Sequence, residues 1–471
     1  MSQSIRMKRN FTLKKFNSLF RIFPKSILVK MLICVFSIIG FNLCAFSKAI
    51  VDAKVAKDWA KLTLNILKTT KGGSPTFNSR FLGYVGLTMY ESVVKGSKDQ
   101  LSLVGKINDL DYLPRFDQKR RINWILSLNA GQAQIIRLIY GFTTSTNLAK
   151  IDSLEISILQ TYSVGLKEHD IVASIKYGKK IADAIFEYSK TDGGHLGYLE
   201  NFDSTFVIKS GNGLWTPPVK GQSEVSLPLH PKWGLNRTFS KANYVLPIPQ
   251  MMEYDFTKGS VYHNYMKEVF DVRNSLSQEQ KEIANWWGDD PSQTFSPPGH
   301  SYYIALVAVE KSNVNLFVAA QTFSAVGMAV ADAFINCWKT KYHYNAERPF
   351  SFIYYNMSTL WDLFWPEPPF PAFYSGHAGQ ASSAATVLTK IYGEFFEFVD
   401  EAHLERPIDT ERLVEFKPRK FNSFFQAAEE SAMSRLYGGI HTRHDNEIGL
   451  KEGKKIGQNI NDLYLTVKDR N

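Results

Sequence analysis

The sequence predicts an all-α protein built of helical bundles, on three observations. Apolar residues recur at helical spacing along most of the chain, an Ala- and Gly-rich apolar run over 314–338 has the character of a central helix, and no apolar–polar alternation lasts long enough to make a sheet. The expected layout is an N-terminal export signal or anchor at 1–49, a helical region with a long loop at 50–250, and a helical bundle at 251–471. A four-helix-bundle core in that last part is expected to hold the chemistry.

The first stretch is basic. Residues 1–48 hold nine Lys or Arg and no Asp or Glu, so of the formal charge of +10 only +1 belongs to the remainder, and a general attraction to nucleic acid is excluded. The basic arm precedes an apolar run sixteen residues long, Met31 to Phe46, and small side chains near Ser47-Lys48-Ala49, the pattern of a secretory signal. The run is shorter than the roughly 18–20 residues of a spanning helix, which leaves an uncleaved anchor as the alternative. Met7 offers a second start. Cys34 and Cys44 fall in this segment, so Cys337 remains alone, in apolar surroundings that suit a buried core residue.

Helical stripes follow. Val55, Trp59, Leu62, Ile66 and Leu67 share one face, and Phe81, Leu82, Val85, Met89 and Val93 another. Residues 121–142 and 167–188 continue the period, the second opened by Glu168 and Asp170 as helix starts prefer. Nothing in this half signals chemistry. Between about 190 and 250 Gly, Pro, Ser and Trp replace the period, as in Gly211-Asn212-Gly213-Leu214-Trp215-Thr216-Pro217-Pro218, which reads as a long ordered loop. Its Trp215 and Trp233 are expected to pack it onto the core rather than line an entrance.

Ser277-Gln278-Glu279-Gln280 is a capping box opening a helix toward Trp286, and a loop is expected from Gly288 to Gly299. The central helix over 314–338 carries Gln321, Asp332 and Asn336, which argue against a lipid setting. Asp332 is expected either in a salt bridge to a site arginine or on an exposed face, because an unpaired buried carboxylate is costly. Helices are also expected at 376–393, 422–437 and 446–467, with an aromatic, proline-rich loop at 354–374.

Three charged clusters interrupt this scaffold. Lys341 and Arg348 stand seven positions apart at the end of the central helix, and Pro349 pushes Arg348 out of helical geometry, so that both cations can face one pocket. Ser375-Gly376-His377 opens a small-residue helix whose N-terminus favours an anion. Ser434-Arg435, Gly438-Gly439-Ile440-His441 and Asp445 complete the set. Arg435 is suited to a tetrahedral oxyanion, and Asp445, four residues after His441, can orient that ring. His300, His343, His403 and His444 lack such company, though His343 and His444 sit within the motifs and are expected behind the site.

Lys341, Arg348, Pro349, Ser375, Gly376, His377, Ser434, Arg435, Gly438, His441 and Asp445, in this order and spacing, resemble the signature of the type 2 phosphatidic acid phosphatase and vanadium-dependent haloperoxidase superfamily. The chain departs from the pattern at Tyr374, where a proline is common. Trp287-Gly288 through Pro297-Pro298-Gly299-His300, and Gly438 to His441, look more like secreted bacterial haloperoxidases than lipid phosphatases.

The resemblance implies vanadate held by Lys341, Arg348, Ser375, Gly376 and Arg435, with His441 as the vanadium ligand and Asp445 behind it. His377 is implied as acid–base group and Lys341 as the group polarising the oxidant. Trp338 and Phe370 are expected to wall a halide pocket, with ordinary core packing as the equal alternative. Hydrogen peroxide, halide and a small organic acceptor would be the partners, with no nucleic acid and no stable membrane association after signal cleavage; self-association is left open. The same cage fits an exported acid phosphatase without a resident cofactor, acting on a phosphate ester through His441 as nucleophile and His377 as acid. A non-catalytic oxyanion-binding protein is the third alternative, disfavoured by the paired histidines.

Overall fold

The computed structural model describes residues 53–218, 221–222, 225–290 and 293–464. The signal or anchor expected at 1–49 lies outside them. Helix α1 (Lys54–Thr69) buries Val55, Trp59, Ile66 and Leu67 as its stripe requires. Helix α2 (Pro75–Glu91) starts at a proline behind the N-cap Ser74 and is buried on every side, so its predicted stripe is only part of its contact surface. Helices α3 (Trp124–Tyr140) and α5 (Glu168–Ser189) match the two predicted stretches. Between them α4 (Ser145–Tyr162) buries only Asn147, Ile151 and Ile158, which is why it shows little apolar period.

The described residues of the long loop lie against the second half of the chain. Its backbone amides at Trp215, Gln222 and Leu229 donate to the carbonyls of Asn345, Glu367 and Pro369, each at 2.8 Å. Trp215 and Trp233 are buried as packing residues. The loop ends in the short helix α6 (Lys241–Tyr244), and here the expectation for Asp332 is corrected. Its buried carboxylate pairs with no arginine and is not exposed. It accepts from Phe239 N at 2.7 Å, Ser240 N at 3.0 Å and Asn243 Nδ2 at 2.9 Å, so it caps this backbone turn. Burial pushes its carboxyl up to about 7 against those three donors.

Helix α7 (Val261–Asn274) precedes α8 (Gln278–Trp286), which has the predicted capping box between Ser277 and Gln280. Helix α9 (Ser296–Ser312) starts before the expected end of the Gly288–Gly299 loop, because Pro297 and Pro298 occupy its first turn, where a missing N–H is harmless. The central helix α10 (Leu316–Tyr344) runs for 29 residues. Among the described residues it is the one helix long and apolar enough to cross a membrane, yet 89% of its most apolar window is buried inside the protein. Glycines allow its close contact with α2: a Cβ on Gly327 would lie 2.3 Å from Leu82 O.

Helices α11 (Pro349–Asn356), α12 (Gly376–Tyr392), α13 (Phe424–Tyr437) and α14 (Arg443–Asn461) follow. With α10, the last three form the predicted C-terminal bundle. The small residues of α12 meet Gly449, Gly453 and Gly457 of α14, where a Cβ would come within 2.7, 2.2 and 2.6 Å of α12 atoms. The expectation of no strand is corrected by β1 (Phe398–Asp400) and β2 (Arg419–Phe421), an antiparallel pair with Phe398 opposite Phe421. Three residues per strand are too few for alternation to show in a sequence.

Candidate active site

Each charged cluster sits where a helix stops or starts. Lys341 lies in the last turn of α10, before Asn345, a left-handed cap residue with φ of 52°. Arg348 is extended, at φ −92° and ψ 157°, immediately before Pro349, as the proline requires. Ser375 is the N-cap of α12 and Arg435 is in the last turn of α13. Thr442 caps α14 in a reciprocal box with Asp445.

Backbone groups then join the clusters. Lys341 Nζ donates to Pro371 O at 2.9 Å and Ala372 O at 2.7 Å. Arg348 donates from Nε and Nη2 to Phe370 O at 3.0 and 2.9 Å, and from Nη1 to Ile440 O at 3.0 Å. Ser375 N donates to Asp445 O at 3.1 Å, tying the second cluster to the third. Arg435 Nη1 donates to Trp287 O at 3.2 Å. His441 Nδ1 lies 3.1 Å from Asp445 Oδ2, and its Nε2 lies 3.3 Å from Arg348 Nη1. Because a carboxylate only accepts, Nδ1 carries the proton and Nε2 keeps a lone pair.

Three buried cations share this region, and among the described residues no carboxylate is bonded to any of them. Burial first, then mutual repulsion, lowers Lys341 to about 7 and Arg435 to about 10, and burial alone lowers Arg348 to about 10 against nearby carboxylates. Burial followed by Arg348, Lys341 and Arg435 holds His441 well below the usual imidazole range. His377 is also held well below that range, by burial and then Arg435. Desolvated cations with no carboxylate directly bonded to them among the described residues are the setting that suits an oxyanion.

That region opens on a cavity of about 530 Å³ lined by Gly376, His377, Arg435, His441, Trp338 and Phe370. Lys341, Arg348, Ser375 and Asp445 are packed behind its wall. Trp338 and Phe370 face each other at 4.8 Å between ring centroids. The residues fit an oxyanion by an independent sign: Arg435 Nε and His377 Nε2 are buried with no hydrogen-bond partner. Two of the other histidines do not join the site. His343 is exposed, and His444 stacks on Phe373 at 5.6 Å without lining the cavity.

The sequence reading missed several walls. Asn201, Phe202, Gln222 and Leu229 of the long loop line the cavity, as do Gly73 and Pro75, so the N-terminal half does contribute to it. Asp289 and Asp290 line it as well, and burial raises Asp290 to about 6 despite Arg435. The expectation that His300 and His403 stand alone is also corrected. His300 bonds Asp289 and Asp400, and His403 Nε2 lies 3.0 Å from Asp289 Oδ1, contacts between residues remote in sequence.

Comparison with known proteins agrees with this geometry. Residues 321–469 match the family model described as the VCPO second helical-bundle domain. No curated protein matches the chain. Among solved structures, a bacterial vanadium-dependent iodoperoxidase is 27% identical, with 88% of this chain and 97% of that one covered and a TM-score of 0.75. Holo-type and apo-type bacterial vanadium-dependent chloroperoxidase, 15% and 14% identical, cover 85% and 83% of this chain and 94% and 93% of their own, and share the fold at a TM-score of 0.63. By fold, and by the family model over residues 321–469, the chain is similar to the vanadium haloperoxidases.

Proposed function

We infer that the protein is a vanadate-dependent haloperoxidase that oxidises halide with hydrogen peroxide to hypohalous acid and so halogenates organic acceptors. The observation that carries this reading is a cavity lined by His441 and by Arg435 with its orphaned Nε, backed by the buried cations Lys341 and Arg348 and by Asp445, which pairs with His441. Lys341, Arg348, Arg435 and the N-terminus of α12 at Ser375 and Gly376 would hold the oxyanion, with the Nε2 lone pair of His441 facing it. Vanadate supplies Lewis-acid activation of peroxide without changing its oxidation state.

The chain's own groups do the rest. Asp445 keeps the proton on His441 Nδ1, so that Nε2 stays unprotonated, with only Arg348 Nη1 against its lone pair. His377, neutral and unpartnered at Nε2, takes and returns a proton there. Lys341, with two of its protons engaged by carbonyls, has one left to polarise the oxidant. Trp338 and Phe370 form a wall low in competing hydrogen bonds, suited to a weakly hydrated halide. Iodide is the first halide to test, given the 27% identical iodoperoxidase.

The test is reconstitution of the purified protein with orthovanadate, followed by iodide and bromide oxidation, against hydrolysis of a simple phosphate ester by the vanadate-free form. Halide oxidation that depends on vanadate is expected; ester turnover without halide oxidation would reverse the conclusion in favour of the phosphatase. Export is proposed from the basic arm and apolar run at the N-terminus. N-terminal sequencing of protein recovered outside the cytoplasm, beginning near Ala49, is the check.

A further inference from the structure

Asp289 of the cavity lining belongs to a second set of titratable side chains, all buried, with His300, Asp400 and His403. His300 is engaged at both ring nitrogens, with Nδ1 2.9 Å from Asp289 Oδ2 and Nε2 2.8 Å from Asp400 Oδ2. Two carboxylate partners make both nitrogens donors, which is the imidazolium form. Burial opposes that charge, but Asp289 and then Asp400 outweigh it and hold the ring at about 10. Asp400 Oδ2 also accepts from Trp286 Nε1 at 2.8 Å.

This network is fastened to one turn of chain, Trp286 to Asp290. The Trp287 indole stacks on His300 with centroids 4.5 Å apart and planes at 21°. The Trp287 carbonyl accepts the one hydrogen bond that Arg435 gives among the described residues. Trp287 Nε1 donates to Glu430 Oε1 at 2.9 Å, on the same helix α13 that carries Arg435. Displacement of the turn therefore displaces the guanidinium's anchor.

We propose that His300 is a positioning residue for the oxyanion cage: as a double donor between Asp289 and Asp400 it fixes the Trp286–Asp290 turn, and through the Trp287 carbonyl it sets the aim of Arg435. This rests on the oxyanion reading of the cage. Asp289, His300 and His403 also bring ligand atoms within 4.8 Å of one another, as a cation site would. Their contacting atoms are already joined by hydrogen bonds, so protons close this network and no cation is required.

The experiment titrates orthovanadate, then inorganic phosphate, into wild type, His300→Gln and Asp400→Asn by calorimetry, with metal analysis of each protein. Trp59→Phe, which removes the buried Trp59 Nε1–Asn129 Oδ1 bond and touches no residue of the cavity lining or of this network by hydrogen bond, is the control for lowered stability alone. His300→Gln is expected to bind about tenfold more weakly, the effect typical of groups that orient a binding shell. Asp400→Asn should change in the same direction by less, and Trp59→Phe should bind as wild type. If either network variant folds, melts earlier and binds as tightly as wild type, the proposal is overturned. A stoichiometric cation in wild type that is lost from His300→Gln overturns it as well, by making the cluster a metal site. If wild type binds neither anion, the cage reading fails and takes this role with it.

Discussion

Arg348 Nη1 lies 3.3 Å from His441 Nε2, so a permanent cation faces the one ring nitrogen that has no proton. Asp445 on the other side of the ring enforces that tautomer, so Nε2 carries the lone pair, which accepts from Arg348 Nη1 and which a bound oxyanion would compete for. His441→Ala should therefore abolish retention of orthovanadate in equilibrium dialysis. Asp445→Asn should weaken it by about 10–100-fold. His377→Ala should retain the anion but slow halide oxidation by about a hundredfold or more. Retention by His441→Ala would mean that another residue is the ligand.

Lys341 gives a pH signature. Its folded value is lowered to about 7 from 10.5, chiefly by burial, so between those values the unfolded chain binds more protons than the folded one. Stability of the anion-free protein therefore gains from this group as pH rises from about 7 to 10.5, with a slope of up to about 1.4 kcal/mol per pH unit. Denaturant midpoints of wild type and Lys341→Met, compared across that range, should show wild type gaining on the variant. Parallel curves would place the lysine's titration elsewhere.

An oxyanion bound only by the folded cage must stabilise it, by about 2.7 kcal/mol at a hundredfold excess over Kd. Orthovanadate or phosphate should raise the Tm of wild type, and Arg348→Lys should lose most of that gain. Lysine does not reproduce the fork by which Nε and Nη2 hold Phe370 O while Nη1 holds Ile440 O. A Tm response in Arg348→Lys equal to wild type would contradict this.

Gly449 couples packing to the site. A Cβ there would stand 2.7 Å from Ala378 Cβ and 2.8 Å from Ser375 O, on the residue that caps α12. Gly449→Ala should cost about 1–3 kcal/mol in chemical denaturation and weaken anion binding, because relief of the clash moves the start of α12. Lost stability with unchanged affinity would show that the two helices adjust elsewhere.

The sequence was legible where chemistry leaves a local mark. Pro349 announces the extended Arg348, Ser277 and Gln280 announce a helix start, and the small residues after Gly376 announce a helix in close contact. Asp332 misled because its partners, the amides of Phe239 and Ser240, are backbone groups about 90 residues away, and a backbone donor has no side-chain signature. His300 misled for a related reason: its carboxylates at 289 and 400 are eleven and a hundred residues distant. Strands of three residues offered no period to read.

By itself the sequence determined which residues could form an anion cage, because cation type, histidine–carboxylate spacing and helix-terminal position are all properties of short segments. Only the tertiary structure decided what surrounds them. Described residues of loop 190–250 return to wall the cavity, the cations are buried far enough that desolvation, with repulsion at Lys341 and Arg435, lowers their pKa, and the Asp289–His300–Asp400 network holds the turn on which Arg435 is anchored. These are matters of distance between remote segments and of exclusion of water, and both arise only when the helices pack.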